Sequence, residues 1–455
     1  MNMKSEYTLI PVGNLVEEPQ LDMNYYTTPL ETLEGKDKTE TLNVVSLFSG
    51  CGGMDLGFEG GFAVLPSSVN EILSPNFINK KLDNGYIKLK KTRFKTVFAN
   101  DILSDARNVW INYFSKFGHN AENFHTDSIV DLVKLHQSGT KIFPENVDVV
   151  TGGFPCQDFS IAGKRNGFDS HKNHKGELID RNKATAETRG QLYMWMKQVI
   201  EITKPKIFVA ENVKGLVNLS NVKEIIQNDF SSTGDHGYIV LEPKVLHAAN
   251  YGVPQSRERV FFIGIRKSSL KKAALEELEK QTISDKYNPY PSPTHSYTID
   301  GVHLKRHVEL NEIFNMLEEP EKTKDLSQRF YSKAKYMGAH CQGQTEIKPQ
   351  GIGPTIRSEH HGNIEFRRLS VEHGGKLLNE LSTGLKERRL TPRECALIQT
   401  FPPDFEFVIE RKNGRKGAFL VSPSQAYKII GNAVPPLLAY HVAKRLEEVW
   451  DFYFN

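Results

Sequence analysis

Cysteine is scarce in this sequence: four cysteines occur in 455 residues, and none of them forms a C-x-x-C spacing. A disulfide framework or a zinc site is therefore not expected, and a reducing compartment is. The sequence also lacks a run of about 18 apolar residues, the length that a membrane-spanning helix needs. Its first residues show no apolar segment behind a basic start, so no secretory signal is expected. These absences together predict a cytoplasmic protein without a bound metal.

A strong charge of one sign is missing as well, since the formal net charge is only +3. The distribution of charge is more informative than its sum. Between Lys322 and Arg368 nine Lys and Arg residues stand against four Asp and Glu residues. Such a basic stretch suits phosphate groups, although a solvated surface explains it equally well.

Short apolar runs alternate with helix-like segments from Leu42 to Arg266, and this alternation predicts an α/β fold with a doubly wound parallel sheet. Residues 238–266 could instead form an antiparallel pair at the sheet edge. The regular pattern stops near Arg266, and the following stretch is polar and rich in Gly and Pro. The predicted divisions are an N-terminal extension 1–40, a main domain 41–267, an inserted smaller domain 268–387 and a C-terminal return 388–455.

A glycine-rich turn follows the first predicted strand in "VVSLFSGCGGMDLGF", residues 44–58. Its glycines permit positive φ and allow a ligand to approach the backbone closely. The G-x-G-x-x-G pattern is absent, and a plain strand–helix turn would explain the glycines equally well. Acidic residues at the ends of the next two strands, Asp101 and Asp127, strengthen the case for an adenosine-type cofactor, although singly each is more often a helix cap. Because Gly50 and Asp101 are 51 residues apart rather than about 20, residues 60–92 are predicted to be an insertion.

Three further features carry possible chemistry. Cys156 lies on the turn "TGGFPCQDFS", where an exposed thiolate nucleophile is favoured over a small buried residue. Glu211 ends the apolar run "FVAE" and is either a carboxyl kept protonated by burial or a helix cap. Gln255, Arg257 and Arg259 alternate along the chain. If they lie on a strand they share a face that could hold a base edge or phosphates, and an exposed edge strand explains them nearly as well.

In this order the motifs resemble those of the DNA (cytosine-5)-methyltransferases of bacterial restriction-modification systems. The resemblance covers about residues 43–267 and 388–445. It is carried by "FSGCGGMDLGF", "GGFPCQDFS", "ENV", "QSRER", "RRLTPRECALIQTFP" and "YKIIGNAVPP". It implies a Rossmann-like S-adenosylmethionine-dependent methyltransferase core, with residues 268–387 as the target-recognition domain.

The resemblance also implies roles for individual residues. Cys156 would attack carbon 6 of a flipped-out cytosine, so that carbon 5 takes the methyl group of S-adenosyl-L-methionine, with Glu211, Arg257 and Arg259 as further catalytic residues. The residues implied to bind the cofactor are Phe48, Gly50, Gly52, Gly53, Asp101, Asp127, Pro155, Leu192, Asn432 and Val434. The candidates for binding DNA are Lys164, Arg165, Gln255, Arg357, His360, Arg367 and Arg368.

The expected partner is double-stranded DNA carrying a short specific site, with a cognate restriction endonuclease that acts on the same site. The protein is expected to be a monomer without membrane contact. An RNA cytosine methyltransferase of the same fold is the main alternative, and the separate reader domain favours DNA. A catalytically silent DNA-binding module and a nicotinamide oxidoreductase are disfavoured. Cys156, Glu211 and Arg259 are all present, and the glycine pattern does not fit a nicotinamide cofactor.

Overall fold

The computed structural model describes residues 40–155, 192–218, 222–234, 237–298, 303–332, 344–358, 364–412 and 418–455. The strands in these ranges are β1 (Leu42–Leu47), β2 (Ala63–Val64), β3 (Ile78–Lys81), β4 (Ile87–Leu89), β5 (Phe94–Asn100), β6 (Phe124–His125), β7 (Val149–Gly152), β8 (Ile207–Val213), β9 (Tyr238–Val240), β10 (Lys244–His247), β11 (Glu258–Arg266), β12 (His295–Ser296), β13 (Lys305–Arg306), β14 (Gln344–Glu346), β15 (Ile364–Arg368), β16 (Arg388–Arg389), β17 (Ile409–Glu410) and β18 (Phe419–Val421). The α-helices are α1 (Gly53–Glu59), α2 (Ser104–Phe114), α3 (Ile129–Gln137), α4 (Leu192–Thr203), α5 (Val222–Ser231), α6 (Lys272–Leu278), α7 (Leu310–Phe314), α8 (Leu326–Arg329), α9 (Leu378–Ser382), α10 (Pro392–Ile398), α11 (Pro423–Asn432) and α12 (Pro436–Tyr453).

An eight-stranded sheet forms the centre of the molecule, in the order β10-β11-β8-β7-β1-β5-β6, with β9 also paired to β11. The pairings from β8 through β7, β1 and β5 to β6 are parallel. Strand β11 runs antiparallel to β8, and β9 and β10 run antiparallel to β11. The predicted parallel sheet and the antiparallel pair at its edge are therefore both confirmed.

Helices cover both faces of this sheet. Neighbouring residues of a strand point to opposite faces, and Val44 and Val45 of β1 accordingly belong to two different apolar clusters, as do Val149 and Val150 of β7. One cluster includes side chains from α1, α2 and α12, namely Phe58, Trp110 and Tyr440. The other includes side chains from α3, α4 and α5, namely Val133, Met196 and Ile226. Burial on both faces explains why these strands are continuously apolar.

The predicted insertion forms a small antiparallel sheet of its own, in the order β2-β4-β3. Its apolar side chains join the same buried cluster as α12. The ring of Phe77 meets that of Tyr440 edge-on at 5.0 Å between centroids, and the Tyr440 hydroxyl donates to the carbonyl of Lys90 at 3.0 Å. The insertion is therefore packed onto the core.

The C-terminal segment returns to the main sheet through α12, which packs on α1. A Cβ atom added at Gly57 would lie 2.4 Å from the Cβ of Ala439, so glycine is needed for this close approach. Helices α10 and α11 each begin with a capping box, formed by Thr391 with Glu394 and by Ser422 with Gln425. Among the described residues, no helix is long and apolar enough to cross a membrane.

Candidate active site

The carboxyl ends of the central parallel strands meet at one edge of the sheet. The register pairs Leu47 of β1 with Asn100 of β5 and with Gly152 of β7, and pairs Gly152 with Ala210 of β8. The residues that follow these positions are predicted site residues or their neighbours: Phe48, Asp101, Gly153 and Glu211. The fold thus brings together side chains that are separated by up to about 160 residues in the sequence, at the edge where α/β proteins bind ligands.

The turn after β1 has two differently used glycines. Gly50 has φ +54°, its N–H donates to Oδ2 of Asp101 at 3.0 Å, and a Cβ atom added there would meet no atom within 4 Å. Gly52 has φ +86°, and a Cβ atom there would lie 2.6 Å from the ring of Trp110. Phe48 also has positive φ, at +54°, which a bulky residue rarely adopts and which often marks a functional turn. The turn is therefore open at Gly50 and tightly supported beneath Gly52.

The loops that follow β5 and β6 are tied to this turn. Asp101 accepts the N–H of Leu103 on its other oxygen at 2.9 Å, so it holds both the glycine turn and the loop that leads into α2. The side chain of Asn100 donates to the carbonyls of His125 and Asp127 at 3.0 and 2.8 Å. Asp127, whose side chain is exposed, is thereby placed beside Asp101.

These residues fit an adenosine-type cofactor. The open side of Gly50 leaves room for a ligand, and the exposed Asp127 offers a carboxylate for hydroxyl or amino groups. Ile102, 45% exposed directly after Asp101, offers an apolar surface that a base ring would cover. Ile102 was not predicted from the sequence. The sequence does show an apolar residue between the acid at the end of a predicted strand and the start of the next helix.

The predicted cofactor residues of the C-terminal segment lie against the same turn. A Cβ atom added at Gly53 would be 2.2 Å from the carbonyl oxygen of Val434, which is itself buried. Asn432 is exposed at the end of α11. Leu192, the first residue of α4, is buried in the apolar cluster against which Phe48 packs.

A buried ion pair lies at the end of β8. Glu211 is 7% exposed, and its Oε1 lies 2.8 Å from Nε of Arg259 on the neighbouring strand β11. Burial raises the pKa of Glu211, and Arg259 and Arg257 only partly oppose that rise. Glu211 lies within the strand, so it is not a helix cap. A carboxyl whose pKa is raised in this way can act as a proton donor or as a hydrogen-bond donor.

The chain segment that leads into Cys156 passes beside this ion pair. A Cβ atom added at Gly153 would lie 2.9 Å from Oε2 of Glu211, so only glycine leaves the carboxyl in place. The side chain of Asn212, 2% exposed, donates to the carbonyl of Phe154 at 3.2 Å and ties the segment to β8. The half-buried Pro155 is the last described residue here, and Cys156, Lys164 and Arg165 lie outside the described residues. Asn212 was also missed, although a polar residue in an apolar strand was a visible signal.

The arrangement expected for Gln255, Arg257 and Arg259 is corrected. Strand β11 begins at Glu258 and lies between β8 and β10, so only Arg259 is on a strand and that strand is not an edge. Arg257 is 1% exposed, and its guanidinium donates to three backbone carbonyls at 2.8 to 3.0 Å, those of Ile356, Gly431 and Ala433. Gln255 is fully buried and accepts the N–H of Ile356. In this conformation Gln255 cannot reach DNA, and both side chains join backbone segments.

Two of the residues predicted to read DNA also have structural contacts. Arg368 is 1% exposed in β15 and forms ion pairs with Glu319 and Glu380 at 2.7 and 2.8 Å. Arg367 is 8% exposed, pairs with Glu380 and stacks on the ring of Phe314. A role in DNA reading does not agree with this burial, so we replace it with a role in holding β15.

Of the remaining residues predicted to bind DNA, only Arg357 lies within the described residues. Arg357 is exposed, and its backbone packs so closely on Gly431 that a Cβ atom there would be 2.2 Å away. His360 lies outside the described residues. Across the described ranges, no group of three or more His, Cys, Asp or Glu side chains could hold a metal ion.

Comparison with known proteins gives one consistent result. Residues 42–448 match the family model described as C-5 cytosine-specific DNA methylase. The type II methyltransferase M.BsuRI of Bacillus subtilis is 32% identical, over 96% of this chain and 88% of the relative. The type II methyltransferase M.BspRI of Lysinibacillus sphaericus is 31% identical, over 93% of this chain and 85% of the relative. The crystal structure of the S. pombe Dnmt2 methyltransferase shares the fold, with a TM-score of 0.50 and 16% identity over 90% of this chain and 99% of that one.

Proposed function

The chain belongs to the C-5 cytosine-specific DNA methylases, and we propose that it methylates carbon 5 of one cytosine in a short duplex site as the modification enzyme of a restriction-modification system. Its two relatives named above are type II methyltransferases. The observation that carries the chemical part of the proposal is the buried pair of Glu211 and Arg259, which lies beside the segment leading into Cys156.

Carbon 5 of cytosine is a poor nucleophile until a second nucleophile adds beside it. In the proposed mechanism the thiolate of Cys156 forms a bond to carbon 6, and the electron pair of the 5,6 double bond becomes available at carbon 5. After methyl transfer a base removes the proton from carbon 5. The bond between sulfur and carbon 6 then breaks, which restores the ring and the thiolate. The target atom lies inside the duplex, so the base must first flip out at a cost of a few kcal/mol.

Glu211 and Arg259 would stabilise the ring during this attack. As the thiolate adds, negative charge develops on the ring, and the Glu211 carboxyl, once it takes up a proton, can donate a hydrogen bond to ring nitrogen 3. Arg259 orients this carboxyl and has further N–H groups for the base oxygen. Their burial strengthens both interactions because little water competes.

S-adenosyl-L-methionine, the methyl donor of the family, supplies an electrophilic methyl group when bound. The open turn at Gly50, the carboxylates of Asp101 and Asp127, and the apolar side chain of Ile102 would hold its nucleoside part. Val434 and Asn432 would close the site from the C-terminal segment. Residues 268–387 would form the reader of the DNA site, with the exposed Arg357 at its border to the catalytic core.

The proposal is tested by incubating the protein with S-adenosylmethionine and unmethylated genomic DNA and mapping 5-methylcytosine by bisulfite sequencing. Methylation of one short motif throughout the genome is expected. Transfer of labelled methyl groups to RNA alone would overturn the assignment to DNA. A duplex that carries 5-fluorocytosine at the target should also form an adduct with the wild-type protein that survives denaturation. No such adduct at a site that is otherwise methylated would contradict the covalent step.

A further inference from the structure

A carboxylate without a role in the chemistry above is buried beneath the glycine turn. Asp55, on α1, is 1% exposed. Its Oδ1 accepts a hydrogen bond from the Ser46 hydroxyl at 2.5 Å, and its Oδ2 accepts one from Nε1 of Trp110 at 2.7 Å. One side chain of α1 is therefore bonded to both β1 and α2.

The hydrogen bonds continue from Ser46 into the turn itself. The Ser49 hydroxyl lies 2.9 Å from the Ser46 hydroxyl, and the N–H of Asn100 donates to the Ser49 oxygen at 3.1 Å. An amide N–H can only donate and an ionised carboxylate can only accept. The Asn100 N–H donates to Ser49, and the Ser46 hydroxyl donates to Asp55. Between them, the Ser49 hydroxyl donates to Ser46, whose hydroxyl and carbonyl oxygens lie 2.9 and 3.0 Å away.

Trp110 supports the same turn from below. Its ring occupies the space that a side chain at Gly52 would need, since a Cβ atom there would be 2.6 Å from the ring. The ring stacks on Phe114 with centroids 4.5 Å apart, and its N–H is held by Asp55. Asp55 therefore holds the indole N–H of a ring that lies directly against Gly52.

We propose that Asp55 is a positioning residue for the methyl donor: through Ser46, Ser49 and Trp110 it holds the glycine turn in the shape that receives the cofactor. The inference rests on the proposed function, in which this turn binds S-adenosylmethionine. Asp55 itself does not touch the cofactor in this scheme.

The ionisation of Asp55 supports a role beyond packing. Burial raises the pKa of Asp55 to about 6, and the negative charge of nearby Glu59 adds to the rise. The hydrogen bonds from Ser46 and Trp110, and the neighbouring His119, lower the pKa in part. A folded-state pKa above the unfolded value means that stability is lost as pH rises from about 4 to about 6. At neutral pH the chain therefore carries a destabilising charge. The ionised carboxylate accepts the hydrogen bonds of Ser46 and Trp110. These two hydrogen bonds are a reason for Asp55 to be present although its charge destabilises the fold.

The experiment measures cofactor binding by calorimetry on the full chain without DNA, using S-adenosylmethionine and S-adenosylhomocysteine as ligands. Asp55→Ala removes both acceptors and should weaken the Kd about 10-fold. Asp55→Asn can still accept from Trp110 and donate to Ser46, so its Kd should stay within about 3-fold of the wild type. Glu59→Ala is the matched control. Glu59 lies on the same helix and accepts from His119 and the Thr96 N–H at about 3.0 Å, and its loss should lower Tm while the Kd remains unchanged.

An unchanged Kd for Asp55→Ala, together with a lowered Tm, would overturn the proposal and leave Asp55 a purely structural residue. Equal weakening of the Kd in Glu59→Ala would overturn it too. If Asp55→Ala does not fold, Ser46→Ala replaces it. That variant cuts the chain to the turn but keeps the bond to Trp110, and a Kd equal to the wild type would then be the contradicting result. Failure of the wild-type protein to bind either ligand would overturn the cofactor assignment itself, which is a distinguishable outcome.

Discussion

Replacing Gly153 with alanine displaces the carboxyl of Glu211, which we propose to act in catalysis. The new Cβ atom would lie 2.9 Å from Oε2 of Glu211, whereas ordinary contacts begin at 3.4 Å. The carboxyl must therefore shift by about half an ångström. It is the end of a flexible side chain, so the shift costs little stability, on the order of 1 kcal/mol or less. The shift does, however, disturb the 2.8 Å contact with Arg259.

A misplacement of about 1 Å can lower a rate by about 100-fold, so a shift of half that size should lower it by about 10-fold. We therefore expect Gly153→Ala to lower kcat by roughly that factor with both substrates saturating, with Tm nearly unchanged. Gly152→Ala is the matched control, because its Cβ atom would meet the sulfur of Met196 in the core at 2.8 Å. The control should lose about 1 to 3 kcal/mol of stability and much less of kcat. A Gly153→Ala enzyme with wild-type kcat would refute the placement of Glu211 in the chemistry.

Glu211, Arg257 and the cysteines each give a further prediction. The raised pKa of Glu211 means that wild-type stability falls as pH rises above about 4.5. Glu211→Gln should remove that fall, so the Tm of the variant should rise relative to that of the wild type between pH 5 and 8. The kcat of the variant should drop. A Tm difference that does not change with pH would contradict a raised pKa for Glu211. Arg257→Lys keeps the charge but loses the forked contacts to three carbonyls, and should cost about 3 kcal/mol in urea unfolding; a loss below about 1 kcal/mol would show that these bonds matter little. Cys156→Ala should abolish methyl transfer in a tritium assay, whereas Cys395→Ala, at a buried thiol in α10, should retain it; turnover by the first variant would exclude the thiolate mechanism.

The sheet and the edge that carries the site could be predicted because their signals are local. An apolar run of six or seven residues between helix-like stretches is a buried parallel strand in most sequences, and Asp101 and Glu211 stand at the ends of such runs. Once the strands are parallel neighbours, topology alone places their carboxyl ends together. The presence of these strands and the location of the two acids at their ends thus follow from short windows of sequence.

The placement of Arg257 and Arg368 could not be predicted in the same way. The sequence predicts that Arg257 supports catalysis and that Arg368 binds DNA, because a guanidinium forms forked hydrogen bonds with base edges and phosphates. Their partners lie far away in the sequence: the carbonyls of Ile356 and Gly431 are 99 and 174 residues from Arg257, and Glu319 is 49 residues from Arg368. Whether a guanidinium meets water, DNA or a buried carbonyl depends on those distant segments, and no local pattern reports them. Asp55 escaped notice for a similar reason, because Trp110, its partner on α2, is 55 residues away.

One guanidinium fixes the geometry between the proposed reader and the proposed chemistry. Arg257 holds the carbonyl of Ile356, directly before the exposed Arg357, and also holds Gly431 on the C-terminal segment. Two residues further along the chain, Arg259 holds Glu211. A buried charged donor gives up its contacts only at a cost of several kcal/mol. The backbone at Ile356 is therefore tied to the start of strand β11, which carries Arg259. A DNA site bound against Arg357 would then keep a fixed position relative to Glu211 and Arg259. Recognition of the site would in this way place the target cytosine beside the residues proposed to act on it.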